Sequence, residues 1–201
     1  MKKEILSQAA EAIIYKTDNL IIKDRIPKSY RIKILDDKIR KSRTKAEKKL
    51  LEKASQVINS PRPLEARETY QIRMPFIDGK KISEYLDSFP EKLQKQICKE
   101  IGKSVAKLHE VNIIHGDLTT SNMILSKEKI FFIDFGLGFI SHKLEDKAVD
   151  LHLLKQALEA KHFQKWKELF DAVIRGYSNY KDSKKVLEQL KAVEKRGRYK
   201  H

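Results

Sequence analysis

Between Ile114 and Gly136 two short polar signatures flank an apolar hairpin, and their spacing leaves few folds open. The first is His115-Gly116-Asp117-Leu118-Thr119-Thr120-Ser121-Asn122, and the second is Asp134-Phe135-Gly136. Asp117 and Asn122 stand five residues apart, and Asp134 follows Asn122 by twelve. Met123-Ile124-Leu125 and Ile130-Phe131-Phe132-Ile133 read as paired strands, so the chain leaves the loop and returns to it. That return lets Asn122 and Asp134 converge on one cation. Mg²⁺ favours carboxylate and amide oxygens completed by phosphate oxygens over an all-protein cage. Asp117 beside them suits a base or orienter for an attacking hydroxyl or water. A lone Asp-Phe-Gly would carry little weight; the ordered pair points to metal–phosphate chemistry.

The rest of the chain falls into two unlike parts. Ala12–Tyr15 and Leu20–Lys23 predict a hairpin around the turn pair Asp18-Asn19. Leu35 to Ile58 contains no Gly or Pro, and Ile39, Ala46, Leu50, Leu51, Ala54 and Ile58 recur at mostly helical spacing. Ser60-Pro61-Arg62-Pro63 ends that helix. Glu65 to Ile77 reads as two more strands, and the turn Asp78-Gly79-Lys80 marks a boundary between residues 1–78 and 79–201. Beyond it, 82–87 and 93–110 are helical, the second with Ile97, Ile101, Val105 and Leu108 on one face. A short strand at 112–117 leads into the loop, and three helices follow, up to about 160, over 163–177 and over 183–193. A β-rich part with one long helix, then a helical part with an embedded hairpin, predicts an α+β fold of two unequal lobes with a ligand cleft between them.

Charge adds a second constraint. The chain of 201 residues carries 43 Lys and Arg against 28 Asp and Glu, a formal +15. Residues 23–53 hold 13 basic and 5 acidic side chains, and 191–201 hold 5 and 1, so two stretches contain most of the excess. Such runs are either solvated helix faces or the footprint of a polyanion such as nucleic acid. The single cysteine, Cys98, forms no internal disulfide, which makes a reducing cytoplasmic location the expectation. Apolar runs such as 130–133 fall far short of a membrane span, and the N-terminus lacks the apolar core of a signal peptide. Cys98 itself and His115 are assigned no metal, since no His or Cys partner lies at ligand spacing. Phe163, Trp166 and Phe170 read as core or subunit interface.

The paired signatures resemble the protein-kinase-like fold, in which HRD-x4-N and DFG supply the catalytic loop and the metal-binding Asp. The resemblance implies a minimal two-lobed kinase with a small β-rich N-lobe and a reduced helical C-lobe. It implies Asp117 as catalytic Asp and Asn122 and Asp134 as Mg²⁺ ligands. Lys23, at the end of a strand, matches the phosphate-binding lysine, and Glu47 its ion-pair partner. Met74, Pro75 and Ile77 match the hinge that binds adenine, with Ile124 beneath the purine. The phosphate loop would contain Ala9, Ala10 and Glu11, but it has no glycine. Gly116 replaces the usual Arg, Thr119 replaces a Lys, no APE motif follows, and only 15 residues separate Asp134 from Asp150. No long substrate platform fits there.

The extended phrases 23–31, 115–123 and 145–150, with Gln8–Ala12 and Arg196-Gly197-Arg198, are similar to the small atypical kinase of the KEOPS complex. That resemblance implies a cytoplasmic ATP- and Mg²⁺-dependent ATPase with serine/threonine autophosphorylation. Its implied partners are the threonylcarbamoyl-transferase and other KEOPS subunits, in forming threonylcarbamoyladenosine at position 37 of tRNA; no membrane is involved. Two alternatives are a small-molecule kinase of the aminoglycoside or choline type, and a non-catalytic tRNA-binding adaptor. For the first, the roughly 50 residues after Asp150 leave little room. For the second, the tail 195–200 would touch RNA, with Tyr199 stacking on a base.

Overall fold

The structure, a computed structural model, describes residues 3–9, 11–66 and 68–198. Its first part is an antiparallel sheet of β1 (Glu4–Gln8), β2 (Ala12–Thr17), β3 (Leu20–Arg25) and β4 (Gln71–Pro75), in that spatial order, with α1 (Lys33–Ala54) inserted before β4. The predicted β2–β3 hairpin is present and two residues longer on each strand, with Ala12 opposite Arg25 and Thr17 opposite Leu20. Its turn uses Asp18 at φ 48°, a left-handed conformation that Asp tolerates better than most side chains. β1 has no counterpart in the sequence reading, because all five of its residues are exposed and show no alternation. The two strands expected within 65–77 are one. Leu64 makes an isolated bridge to Arg73, and only 71–75 pair with β3. Pro61 and Pro63 have no N–H to give a ladder, so the approach to β4 stays an extended strap.

The helix α1 starts two residues before the predicted Leu35 and stops at Ala54, short of Ile58. Its buried face also differs from the apolar stripe expected. Ala46 is exposed and Ile39 half-buried, whereas Asp36, Thr44 and Glu47 are buried along with Leu50, Leu51 and Ala54. The first half of the helix packs by ion pairs and only the last turns pack by hydrophobic burial.

The second part begins with β5 (Lys80–Lys81), α2 (Ile82–Tyr85) and a 3₁₀ turn at Leu86–Ser88, followed by α3 (Glu91–Glu110) and β6 (Ile113–Ile114). The predicted hairpin β7 (Met123–Ser126) and β8 (Lys129–Phe132) joins β5 in a three-stranded sheet, and β9 (Phe139–Ile140) pairs with β6. Then come α4 (Leu144–Lys161), α5 (Trp166–Tyr177) and α6 (Ser183–Arg198). The predicted α3 face is buried throughout: Ile97, Ile101, Val105 and Leu108 join Leu151, Leu154, Leu158, Val173 and Tyr177 in the core. Each fully buried Leu, Ile or Val contributes about 1.5–3 kcal/mol relative to exposure.

Two glycines bring α3 and α5 into backbone contact. A Cβ on Gly102 would meet the Val173 carbonyl oxygen, and one on Gly176 the Lys99 carbonyl oxygen, both closer than 3.0 Å. Trp166 and Phe170 pack at the core as expected. Phe163 does not. It precedes α5 and is 70% exposed. No helix among the described residues is long and apolar enough to cross a membrane. The architecture is an α+β fold of two lobes, an antiparallel-sheet N-lobe and a mainly helical C-lobe.

Candidate active site

Strand geometry decides what β3 presents to α1. Residues two apart point to the same face, so Lys23 and Arg25 act together. Lys23 Nζ donates to Glu47 Oε1 (2.7 Å) and to Asp134 Oδ1 (2.6 Å), while Arg25 Nη2 donates to Glu47 Oε2 (2.5 Å). Glu47 is 1% exposed and sits between two cations that are themselves buried. Arg25 was missed in the sequence reading, although its i,i+2 relation to Lys23 on a strand is the signal that marks it. Burial alone would lower the Lys23 pKa, but the Glu47 and Asp134 carboxylates outweigh it and raise the value. Burial pushes Asp134 upward, yet Lys23 and the Gly136 N–H hold it below the usual carboxylate range.

Asp134 reaches this position through a left-handed backbone, φ 61°, and its Oδ1 accepts the Gly136 N–H at 3.1 Å. A Cβ on Gly136 would lie 3.0 Å from Asp134 Oδ1, 3.3 Å from Lys23 Nζ and 3.4 Å from Glu47 Oε2. Glycine there leaves open space against all three charged groups.

The loop carrying Asp117 is fixed from behind. Asn122 Nδ2 donates to the Asp117 carbonyl (2.9 Å) and to Asp117 Oδ2 (2.8 Å). Both are acceptors, so the amide orientation is determined and Asn122 Oδ1 remains free for another ligand. The Ile133 N–H donates to the Asn122 carbonyl (3.0 Å), which brings this pair beside the segment that carries Asp134. His115, fully buried, spans the same join: Nε2 donates to the Ile133 carbonyl (3.1 Å) and Nδ1 accepts the Asp117 N–H (3.3 Å). Burial holds its pKa low, despite the Asp150 carboxylate, so the ring serves as a neutral strut.

Beneath the loop lies a residue whose role sequence reasoning missed. Asp150 on α4 accepts the N–H groups of His115 (2.7 Å) and Gly116 (2.9 Å), and His109 Nε2 approaches it at 3.3 Å. His109 Nδ1 meets Tyr177 Oη at 2.9 Å, completing a chain from loop to α5. Gly116, at φ 78°, has the Leu137 carbonyl where a Cβ would stand. The glycine is a steric requirement.

The remaining candidates surround these clusters. The Ala9 N–H donates to the Ala12 carbonyl (3.0 Å), closing the β1–β2 turn. Glu11 pairs with Arg43 (2.5 Å), Arg31 (3.4 Å) and Arg25 (3.9 Å). Burial tends to raise its pKa, but Arg43 and Arg31 bring it below the ordinary value. Met74 and Pro75 end β4 opposite Ile21 and Leu20, with Ile77 half-buried just beyond, and half-buried Ile124 pairs with Lys81 and Phe131 across its sheet. Ala10, Tyr199, Lys200 and His201 lie outside the described residues, as does the side chain of Arg198.

Ion pairing also revises the charge footprint. Of the basic residues in 23–53, Lys23, Arg25, Arg31, Arg40, Lys41 and Arg43 are engaged by Glu11, Asp36, Asp37, Glu47 or Asp134. About half of these basic residues are paired within the chain, Lys23, Arg25, Arg31 and Arg40 largely buried and Lys41 and Arg43 at the surface.

A family model described as RIO domain matches residues 15–151. The chain is 38% identical over 211 aligned positions to the KEOPS complex subunit Bud32 of Pyrococcus abyssi, covering 98% of this chain and 96% of the relative. It is 40% identical to a probable serine/threonine-protein kinase BUD32 homolog of Archaeoglobus fulgidus, with 94% and 93% covered. It is also 42% identical to a probable bifunctional tRNA threonylcarbamoyladenosine biosynthesis protein of Methanobrevibacter smithii. There, 98% of this chain spans 37% of the relative's length. With a matching domain over more than half its length and relatives covered nearly end to end at 38% and 40% identity, the chain belongs to the RIO-domain kinase-like family, in its Bud32 group.

Proposed function

We propose that the chain is the ATP-dependent, kinase-like subunit of a KEOPS-type complex and supports threonylcarbamoyladenosine formation on tRNA, in the cytoplasm. The observation that carries this reading is the Lys23 ammonium held between Glu47 (2.7 Å) and Asp134 (2.6 Å) in a chain of this family. In this proposal the lobes divide at residue 78. Lys23 binds the α- and β-phosphates, Glu47 positions Lys23, and adenine lies against Met74, Pro75, Ile77 and Ile124. Ala9, Ala10 and Glu11 cover the phosphates.

The side chains suit a hard cation. Asp134 is half exposed, and Asn122 offers its free amide oxygen. Among the described residues no three or more His, Cys, Asp or Glu stand together as a metal cage. Mg²⁺, when bound, would neutralise charge on the transferring phosphoryl oxygens. Asp117 keeps its carboxylate oriented by the Asn122 amide and accepts the proton of a serine or threonine hydroxyl, or orients water. Catalysis by these residues is positioning plus charge stabilisation.

The test is ATP hydrolysis by the isolated chain, then with the transferase subunit, then with tRNA. Asp117→Ala and Asp134→Ala each abolish turnover under this reading. Parental turnover in either variant overturns the assignment.

A further inference from the structure

The outward face of α1 is a lysine stripe, opposite the residues that hold the helix to its lobe. At about 100° per residue, Lys38, Lys45, Lys49 and Lys53 fall within an arc of about 80°. All four are exposed. The buried Asp36, Thr44, Glu47, Leu50, Leu51 and Ala54 occupy the other side of the helix. At about 1.5 Å per residue the stripe runs about 22 Å along the axis. Its last two steps are about 6 Å each, close to the distance between neighbouring phosphates of an RNA strand.

These charges are not neutralised within the chain. Among the described residues the carboxylates that pair with this region go to Lys23, Arg25, Arg31, Arg40, Lys41 and Arg43, and none pairs with the four lysines of the stripe. Of the acidic residues of α1, Asp36 and Glu47 are buried in ion pairs and Asp37 pairs with Lys41. Only Glu52 borders the stripe.

Side-chain chemistry narrows the occupant. Between the lysines stand Ser42 and Ala46, both exposed, and the exposed Tyr30, Ile32, Ile34 and Leu35 all precede Lys38. A helix lying on a membrane buries Trp, Phe or Leu from its other face in lipid. The other face of α1 is committed to its own core through Leu50, Leu51 and Ala54. Protein interfaces are enriched in aromatic side chains and depleted in lysine, the reverse of this surface. Flexible ammonium groups repeated along one line suit a phosphate backbone. We propose that the outer face of α1 docks the phosphate backbone of tRNA, with Lys38, Lys45, Lys49 and Lys53 each meeting a phosphate. That the polyanion is tRNA rests on the function proposed above; that it is a chain of phosphates rests on the stripe. Such contacts position the RNA and read no base.

The test is equilibrium binding of fluorescent tRNA to the full chain over a range of salt concentrations. Two triple variants are compared with the parent. One combines Lys38→Ala, Lys45→Ala and Lys49→Ala; the other combines Lys92→Ala, Lys99→Ala and Lys107→Ala, exposed positions on α3, and removes the same charge elsewhere. The α1 triple lowers the log–log salt slope by about 2–3 and weakens binding roughly 100-fold at about 0.1 M salt. The α3 triple leaves the slope unchanged. Both keep the parent's melting temperature and its ATP hydrolysis without RNA, because exposed, unpaired side chains are the ones replaced. Equal losses in the two triples, or tRNA binding unchanged in the α1 triple, overturn the proposal. So does binding of poly-glutamate or of phosphatidylserine vesicles that depends on the α1 lysines while tRNA binding does not. A parent without ATP hydrolysis whose tRNA binding still depends on the stripe supports this surface and refutes the proposed ATPase, so the two readings fail separately.

Discussion

Glu47→Gln tests whether the buried charges on β3 and α1 form one unit. The substitution keeps the shape of the side chain and removes its charge. Glu47 is 1% exposed and faces Lys23 Nζ and Arg25 Nη2, on residues that are 8% and 5% exposed. Breaking a buried pair from one side costs about 3–5 kcal/mol, because the remaining charge has no compensation. Lys23 keeps Asp134, whereas among the described residues Arg25 keeps only Glu11 at 3.9 Å and its Nε has no partner. One cation is therefore stranded, and the lower end applies, about 3 kcal/mol. For a chain of this size that lowers the melting temperature by about 6–12 °C. The assay is urea unfolding followed by far-UV circular dichroism, with the slope unchanged and the midpoint reduced. A companion triple variant, Lys23→Met with Arg25→Met and Glu47→Leu, removes all three charges at similar volume. It recovers stability to within about 1 kcal/mol of the parent while ATP hydrolysis is lost, since buried ion groups are often replaceable by well-packed apolar ones. A Glu47→Gln midpoint equal to the parent's, or a triple variant as unstable as the single one, refutes the reasoning.

Asp150→Ala removes two carboxylate–amide bonds of 2.7 and 2.9 Å and costs about 3–5 kcal/mol; the urea midpoint and amide exchange at His115 and Gly116 report it together. Asp134 has a folded pKa below its unfolded value of about 3.9, so its contribution is present above that pH and fades as pH falls through the lower folded value. The midpoint difference between parent and Asp134→Asn therefore shrinks on acidification below about pH 4, and a difference constant from pH 7 to pH 3 contradicts the coupling. Lys127 and Glu128 turn the β7–β8 hairpin at φ 46° and 65°. Glu128→Gly relieves left-handed strain of about 1–2 kcal/mol at an entropic cost of about 0.5–1, for a net gain of about 0.5–1 kcal/mol in urea unfolding.

The catalytic loop and its hairpin were legible because their signal is local: fixed spacings, a turn at each end and strands four residues long. The helix α1 was legible as a helix but not as a surface. Its buried face is written in Asp36, Thr44 and Glu47, which hydrophobic periodicity cannot register. Arg25, Asp150, His109 and Tyr177 were hidden for a related reason. Each looks like an ordinary charged or aromatic residue until a partner 22 to 68 positions away is brought to it by the fold. β1 and the two-residue strands β5 and β9 owe their pairing to neighbours, since segments so short or so exposed carry no pattern of their own, whereas β6 lies within the strand expected over 112–117. Phe163 shows the limit of reading an aromatic cluster. The sequence reads it as core or subunit interface, and the turn before α5 carries it to the surface, which excludes the core alone.

The close approach of α3 and α5 through Gly102 and Gly176 restricts how this protein can change over generations. A crowded side chain can usually be accommodated by trimming its neighbour. At these two positions the obstructing atoms are carbonyl oxygens, of Val173 and Lys99, and every amino acid has one. No second substitution on the facing helix can make room, so a descendant that replaces either glycine must move a helix axis. The C-lobe is free to drift in its side chains while the distance between its two central helices is inherited unchanged.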